Sequence, residues 1–139
     1  MKGKITLLAT ACLFYTSSVF ASSHTQEYKD CMVNNSADSV LAACKDKEYN
    51  HYTQVITEKL SEIKQSEYFA NILKQYSLDE QHKLWEQMTS TYCQYYVIAK
   101  SHQGYSDAYN KADCMLERAE SYEEWLDSII SNAKSDYKG

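Results

Sequence analysis

Proline is absent from the chain, and beyond residue 21 glycine occurs only at Gly104 and at the C-terminal Gly139. Strand-rich domains reverse at tight turns, and those turns draw on Gly and Pro. Their scarcity leaves helices joined by a few polar connections. The apolar pattern agrees, recurring at three and four along three stripes. The first runs through Leu41, Cys44, Glu48/Tyr49, Tyr52, Val55/Ile56, Leu60 and Ile63. The second takes Leu78, Trp85, Met88, Tyr92, Tyr95/Tyr96 and Ala99, and the third Ala112, Leu116, Ala119, Tyr122, Leu126 and Ile129/Ile130. The spacing predicts a short helix near 25–33, a long one over 37–64 continuing through 66–76, one over 78–102 and one over 107–132. Residues 133–139 read as a frayed polar tail. Helix starts are read at Asn35/Ser36, at Ser77 with Glu80 three residues on, and at Ser106.

The first residues differ in kind. Lys2 and Lys4 precede an uncharged run from Ile5 to Phe20, and Val19-Phe20-Ala21 has the small-residue pattern of a cleavage site. Thr6, Thr10, Thr16, Ser17 and Ser18 dilute the run, which falls short of the roughly 20 apolar residues a membrane span needs. Residues 1–21 are therefore expected to be a cleavable signal peptide that exports the rest to the periplasm or the medium and leaves no stable membrane anchor. Lipidation at Cys12 is the alternative. It is disfavoured because Leu13-Phe14-Tyr15 and Val19-Phe20 carry the apolar run past that cysteine.

Residues 22–139 make one domain's worth of chain and keep all 19 acidic residues but lose Lys2 and Lys4, for a formal charge of −7. That sign argues against nucleic acid and anionic membranes and suits a basic protein partner. Removing Cys12 leaves Cys31, Cys44, Cys93 and Cys114, an even set that implies disulfides in a small exported domain. Three connectivities are possible, and hairpin geometry selects one. Facing residues of an antiparallel helical hairpin lie equally far from its turn. Cys93 and Cys114 are centred between Gln103 and Gly104, and Cys31 and Cys44 just past the Asn34-Asn35-Ser36 turn. The expected pairs are Cys31–Cys44 and Cys93–Cys114, in an all-α, small antiparallel bundle of hairpins stapled by two disulfides.

Few residues carry recognisable chemistry. No cysteine pair has the spacing of a structural zinc site, and His24, His51, His82 and His102 are scattered. Glu117/Glu120 and Glu123/Glu124 lie beside Arg118 and polar neighbours, the pattern of a solvated helix face. No nucleophile elbow, phosphate loop or dinucleotide fingerprint is present. The expectation is a protein without catalytic residues, metal or cofactor. The 13 tyrosines are more informative, because Tyr49, Tyr52, Tyr92, Tyr96 and Tyr122 fall on the apolar stripes and read as core. Tyr105 does not. It stands beside Gly104 and near His102 at the predicted hairpin tip, where an aromatic side chain is a candidate binding anchor. Asn34-Asn35-Ser36 matches a glycosylation sequon and serves equally as a helix-capping turn.

The constellation resembles the LprI-type lysozyme inhibitor domain, a family of small exported bacterial domains. The resemblance rests on Cys31-Met32 through Ala43-Cys44, on Gln81-His82-Lys83-Leu84-Trp85 through Tyr92-Cys93, on Gly104 in the following loop, and on Cys114-Met115-Leu116-Glu117 through Leu126. It covers about residues 28–130, with Trp85 and Leu126 as structural motif positions. His82 takes the family's glutamine position, Thr89 an arginine, and Ala119 and Tyr122 the closing threonine and arginine. The resemblance implies a binder of lysozyme, a cationic enzyme that degrades the bacterial wall. The alternative function is a stapled helical module that binds another envelope or secreted protein. The oligomeric state is left open.

Overall fold

The computed structural model describes residues 24–136, so the segment read as a signal peptide, with Cys12, lies outside the described residues. The chain forms α1 (Gln26–Asn34), α2 (Asp38–Gln65), a 3-10 turn (Glu67–Phe69), α3 (Ala70–Leu73), α4 (Leu78–Lys100) and α5 (Asp107–Asp136). Hydroxyl side chains start most of these elements. The oxygen of Thr25 accepts from Tyr28 N, that of Ser77 from Glu80 N, and that of Ser106 from Tyr109 N.

Three boundaries differ from the sequence reading. Asn35 and Ser36 do not cap α2, which begins after Ala37 without a side-chain cap. The asparagines instead close α1, Asn34 Nδ2 donating to Asp30 O and Asn35 Nδ2 to Cys31 O. The long helix stops at Gln65 because Ser66 turns extended and its hydroxyl accepts from Tyr68 N. At the other end, residues 133–136 are not a frayed tail. α5 runs through them, with Ile130 buried and Lys134 paired to Glu62 at 2.7 Å.

Both disulfides form as the hairpin geometry requires, Cys31–Cys44 across α1 and α2 and Cys93–Cys114 across α4 and α5, with Cα separations of 5.9 and 5.6 Å. α2 and α5 then lie side by side and parallel. Ser106 N donates to Asp38, Lys45 pairs with Asp113, and Lys59 pairs with Glu123 and Asp127, so partner numbers rise together along both helices. The core is the α2–α5 seam: Tyr52, Ile56, Leu60 and Ile63 against Leu116, Ala119, Tyr122, Leu126 and Ile130. Tyr28, Tyr49, Phe69, Leu78, Trp85 and Ile129 cover its edges.

α4 docks mainly on α5 and buries only Thr89 and Cys93 fully. Its predicted core stripe is therefore corrected. Leu78, Trp85 and Tyr96 turn inward or to the edge, while Met88, Tyr92 and Tyr95 are 68%, 53% and 70% exposed. Cys93 must face α5 to reach Cys114, and that constraint rotates the neighbouring apolar arc of α4 into solvent.

Candidate interaction surface at the hairpin tip

α4 ends by local closure: Gln103 N donates to Lys100 O, Ser101 Oγ to Ile98 O, and Lys100 Nζ to Gln103 Oε1. Gly104 then takes φ +91°, a left-handed conformation that L side chains rarely adopt, and the chain reverses into α5. His102, Gly104 and Tyr105 thus share one exposed loop, as the hairpin reading places them. The loop is braced. The Tyr105 ring, 53% exposed, stacks on Tyr109 at 4.6 Å between centroids. Tyr105 O accepts from the buried Asn110 side chain, and Ser106 N donates to Asp38 Oδ2 at 2.6 Å.

Beneath Tyr109 sits Lys45. Its ammonium lies 5.2 Å from the Tyr109 ring centroid, pairs with Asp113 at 2.8 Å and donates to Tyr28 Oη at 3.3 Å. Burial alone would lower the Lys45 pKa, but these partners outweigh it and hold the lysine above its ordinary value. A charged, fixed lysine therefore supports the aromatic pair from below. Asp38 brings the α1–α2 turn to the same end of the molecule, where Val33 and Val40 are also open to solvent.

The other candidate residues go elsewhere. Trp85 stacks on Tyr122 at 4.3 Å and 17°, with His82 and Trp125 nearly parallel to that pair, so Trp85 and His82 lock α4 onto α5. Leu126 is completely buried. His51 lines an open cleft of about 600 Å³ between α1 and α2 with Thr25, Tyr28 and Glu48. His51 and His82 thus occupy different parts of the molecule. Glu48 is already engaged, accepting from Thr25 N at 2.7 Å and from Thr25 Oγ1, with His24 at 3.4 Å. His24 also reaches Glu120 at 3.2 Å. Burial raises the Glu120 pKa, and the His24 charge opposes the rise.

Sequence reading missed the buried charges. Glu123 is not on a solvated face: it is 1% exposed, and Lys45 and Glu48 are buried as well. A cue was present, since Glu123 continues the spacing of Leu116, Ala119, Leu126 and Ile130. Among the described residues no helix is long and apolar enough to cross a membrane, and no group of three or more His, Cys, Asp or Glu gathers as a metal site. The two disulfides indicate an oxidising, exported environment. Comparison with protein-family models, with curated proteins and with solved structures returns no match, so the resemblance to the lysozyme inhibitor domains rests on the cysteine and tryptophan spacing alone.

Proposed function

We propose that the chain is an exported, periplasmic or secreted, binding protein that inhibits a cationic lysozyme, with the α4–α5 tip as its contact. The observation that carries this reading is the braced, half-exposed Tyr105 on a short rigid loop. Aromatic side chains held in place before binding lose little freedom on contact and anchor many protein interfaces. The net charge of −5 on the full chain favours encounter with a basic partner. Of the departures from the family pattern, Thr89, Ala119 and Tyr122 are buried and His82 is partly exposed against Trp85 and Tyr122, so none of them lies on the tip surface.

The test is direct. The oxidised protein, titrated into a lysozyme assay on peptidoglycan at low salt, is expected to suppress activity at about micromolar concentration. Tyr105→Ala should weaken suppression at least about tenfold while leaving the fold intact. Undiminished lysozyme activity at that concentration rejects the reading. A second reading, a module for another envelope or secreted protein, is favoured by the breadth of exposed apolar surface at this end, where Val33 is 84% exposed. Recovery of one specific partner from periplasmic extract, with lysozyme unaffected, would select it.

A further inference from the structure

The face of α4 turned away from α5 has a regular composition. Leu84, Met88, Thr91, Tyr95 and Ile98 follow the four-three alternation of a heptad seam, on the solvent side of the helix. Leu84, Met88, Tyr95 and Ile98 are 51%, 68%, 70% and 69% exposed. Between them lies a shallow groove of about 370 Å³ lined by Gln87, Met88, Thr91, Tyr92 and Tyr95. Residues 88, 91, 92 and 95 stand at i, i+3, i+4 and i+7, the four corners of the hole that receives a knob from a facing helix in coiled-coil packing.

We propose that this face pairs with the same face of a second copy, making an antiparallel dimer through α4. Three features select a copy of this chain as the occupant. The seam supplies both knobs and a hole, as a two-fold contact requires. A copy turned end for end about an axis near Ser90 presents its own Met88 to the groove and sets Leu84 of each chain against Tyr95 of the other. The second feature is charge. The chain carries −5 overall, yet no charged residue occurs from Gln87 to Ala99. The positions flanking the seam hold Gln87, Tyr92, Gln94 and Ala99, and the charge packed against them is the Arg118 guanidinium, 5.2 Å from the Tyr92 ring centroid. Two acidic molecules can therefore approach along this stretch of α4 without opposing carboxylates from it. The third is area. Five large side chains, each at least half open, present on the order of 500 Å², the size at which an apolar patch marks an interaction site. With the flanking glutamines and Thr91 the face approaches the roughly 800 Å² per partner of a stable interface. The arrangement leaves both hairpin tips free at opposite ends, each roughly 20 Å along the helix from the axis.

Sedimentation equilibrium on the oxidised exported form, residues 22–139, from about 5 to 200 µM tests the proposal. A reversible dimer is expected. Leu84→Lys and Tyr95→Glu should each raise the dissociation constant at least about tenfold, because each puts an unpaired charge into an apolar contact. Both side chains are exposed in the single chain, so helicity should be unchanged, as should the thermal midpoint at concentrations where wild type is monomeric. Mixing the two variants should restore association, since the introduced lysine meets the introduced glutamate only in the antiparallel register. A monomer over the whole range overturns the proposal, and so does a dimer indifferent to both substitutions. A monomer that instead binds neutral lipid vesicles through this face overturns it in favour of a membrane surface.

Discussion

Glu123 occupies a place on α5 where the packing pattern asks for an apolar side chain. Burial raises its pKa, and the ammonium of Lys59, 2.7 Å away, opposes that rise. Lys59 keeps a second carboxylate, Asp127, so the two acids are not equivalent partners. Lys59→Met strands Glu123 without a counter-ion and should destabilise by about 2–3 kcal/mol in urea unfolding, below the usual figure for a fully buried pair because the lysine retains some solvent. Glu123→Gln should stay within about 1 kcal/mol of wild type near neutral pH. The sign follows from linkage. A carboxyl with a raised folded pKa contributes stability below its unfolded value of 4.5, and that contribution is lost as pH rises through the folded value. Moving from about pH 4 to about pH 7 should therefore favour Glu123→Gln over wild type, and should deepen the deficit of Lys59→Met. A pH-independent difference would mean that Glu123 has the same pKa in the folded and unfolded chain. Gly104 was legible for a simpler reason: only its backbone conformation matters. A Cβ built there meets nothing within 4 Å, so Gly104→Ala tests left-handed strain alone and should lose about 1 kcal/mol.

At the scale of helices, the sequence disclosed periods and stops but not rotation. The apolar period of α4 is real, yet it is shared by two adjacent arcs, and a stripe of Met88, Tyr92 and Tyr95 looks the same whether it meets α5 or water. Only the disulfide geometry decides between them, through Cys93. The break at Ser66 was concealed because residues 66–76 keep apolar positions such as Phe69 and Ile72 at helical spacing while one extended residue interrupts the ladder. The staples also differ in consequence. α1 buries no residue fully and is held by Cys31–Cys44, by Tyr28 and by the contacts of Thr25 with Glu48. Replacing both Cys31 and Cys44 by Ala should release α1 locally, with faster amide exchange over residues 26–34 and a global loss well under the roughly 3 kcal/mol of the loop-entropy estimate. Replacing Cys93 and Cys114 by Ala loosens a seam that includes the Trp85–Tyr122 stack, and the full amount, about 3 kcal/mol, should appear in cooperative unfolding. Equal global losses for the two pairs would contradict this division.

Across the whole molecule, the parallel α2–α5 pair gathers groups that prefer to keep their protons in the fold. Burial raises the pKa of Tyr49 and of Tyr122, with the charge of Glu86 adding to both. For Lys45 and Lys59 burial pulls down, but Asp113 and Tyr28 in one case and Asp127 and Glu123 in the other leave each lysine raised. All four shifts have the same sign, so each contributes stability that is complete below its unfolded pKa, 10.0 for tyrosine and 10.5 for lysine, and lost as pH rises through the folded value. Each group then adds up to about 1.4 kcal/mol per pH unit to the slope inside its own window. Because the tyrosines and lysines sit along one seam, their losses should appear as a single cooperative alkaline transition. The urea midpoint is expected to hold steady from about pH 7 to 9 and to fall steeply above about pH 10. Combining Tyr49→Phe with Tyr122→Phe removes the phenol part of the linkage while keeping the ring packing, so the double variant should fall less steeply over the same range. If its slope matches wild type, the lysines carry the alkaline transition; if wild type shows no fall above pH 10, the buried seam does not bind these protons more tightly than the unfolded chain.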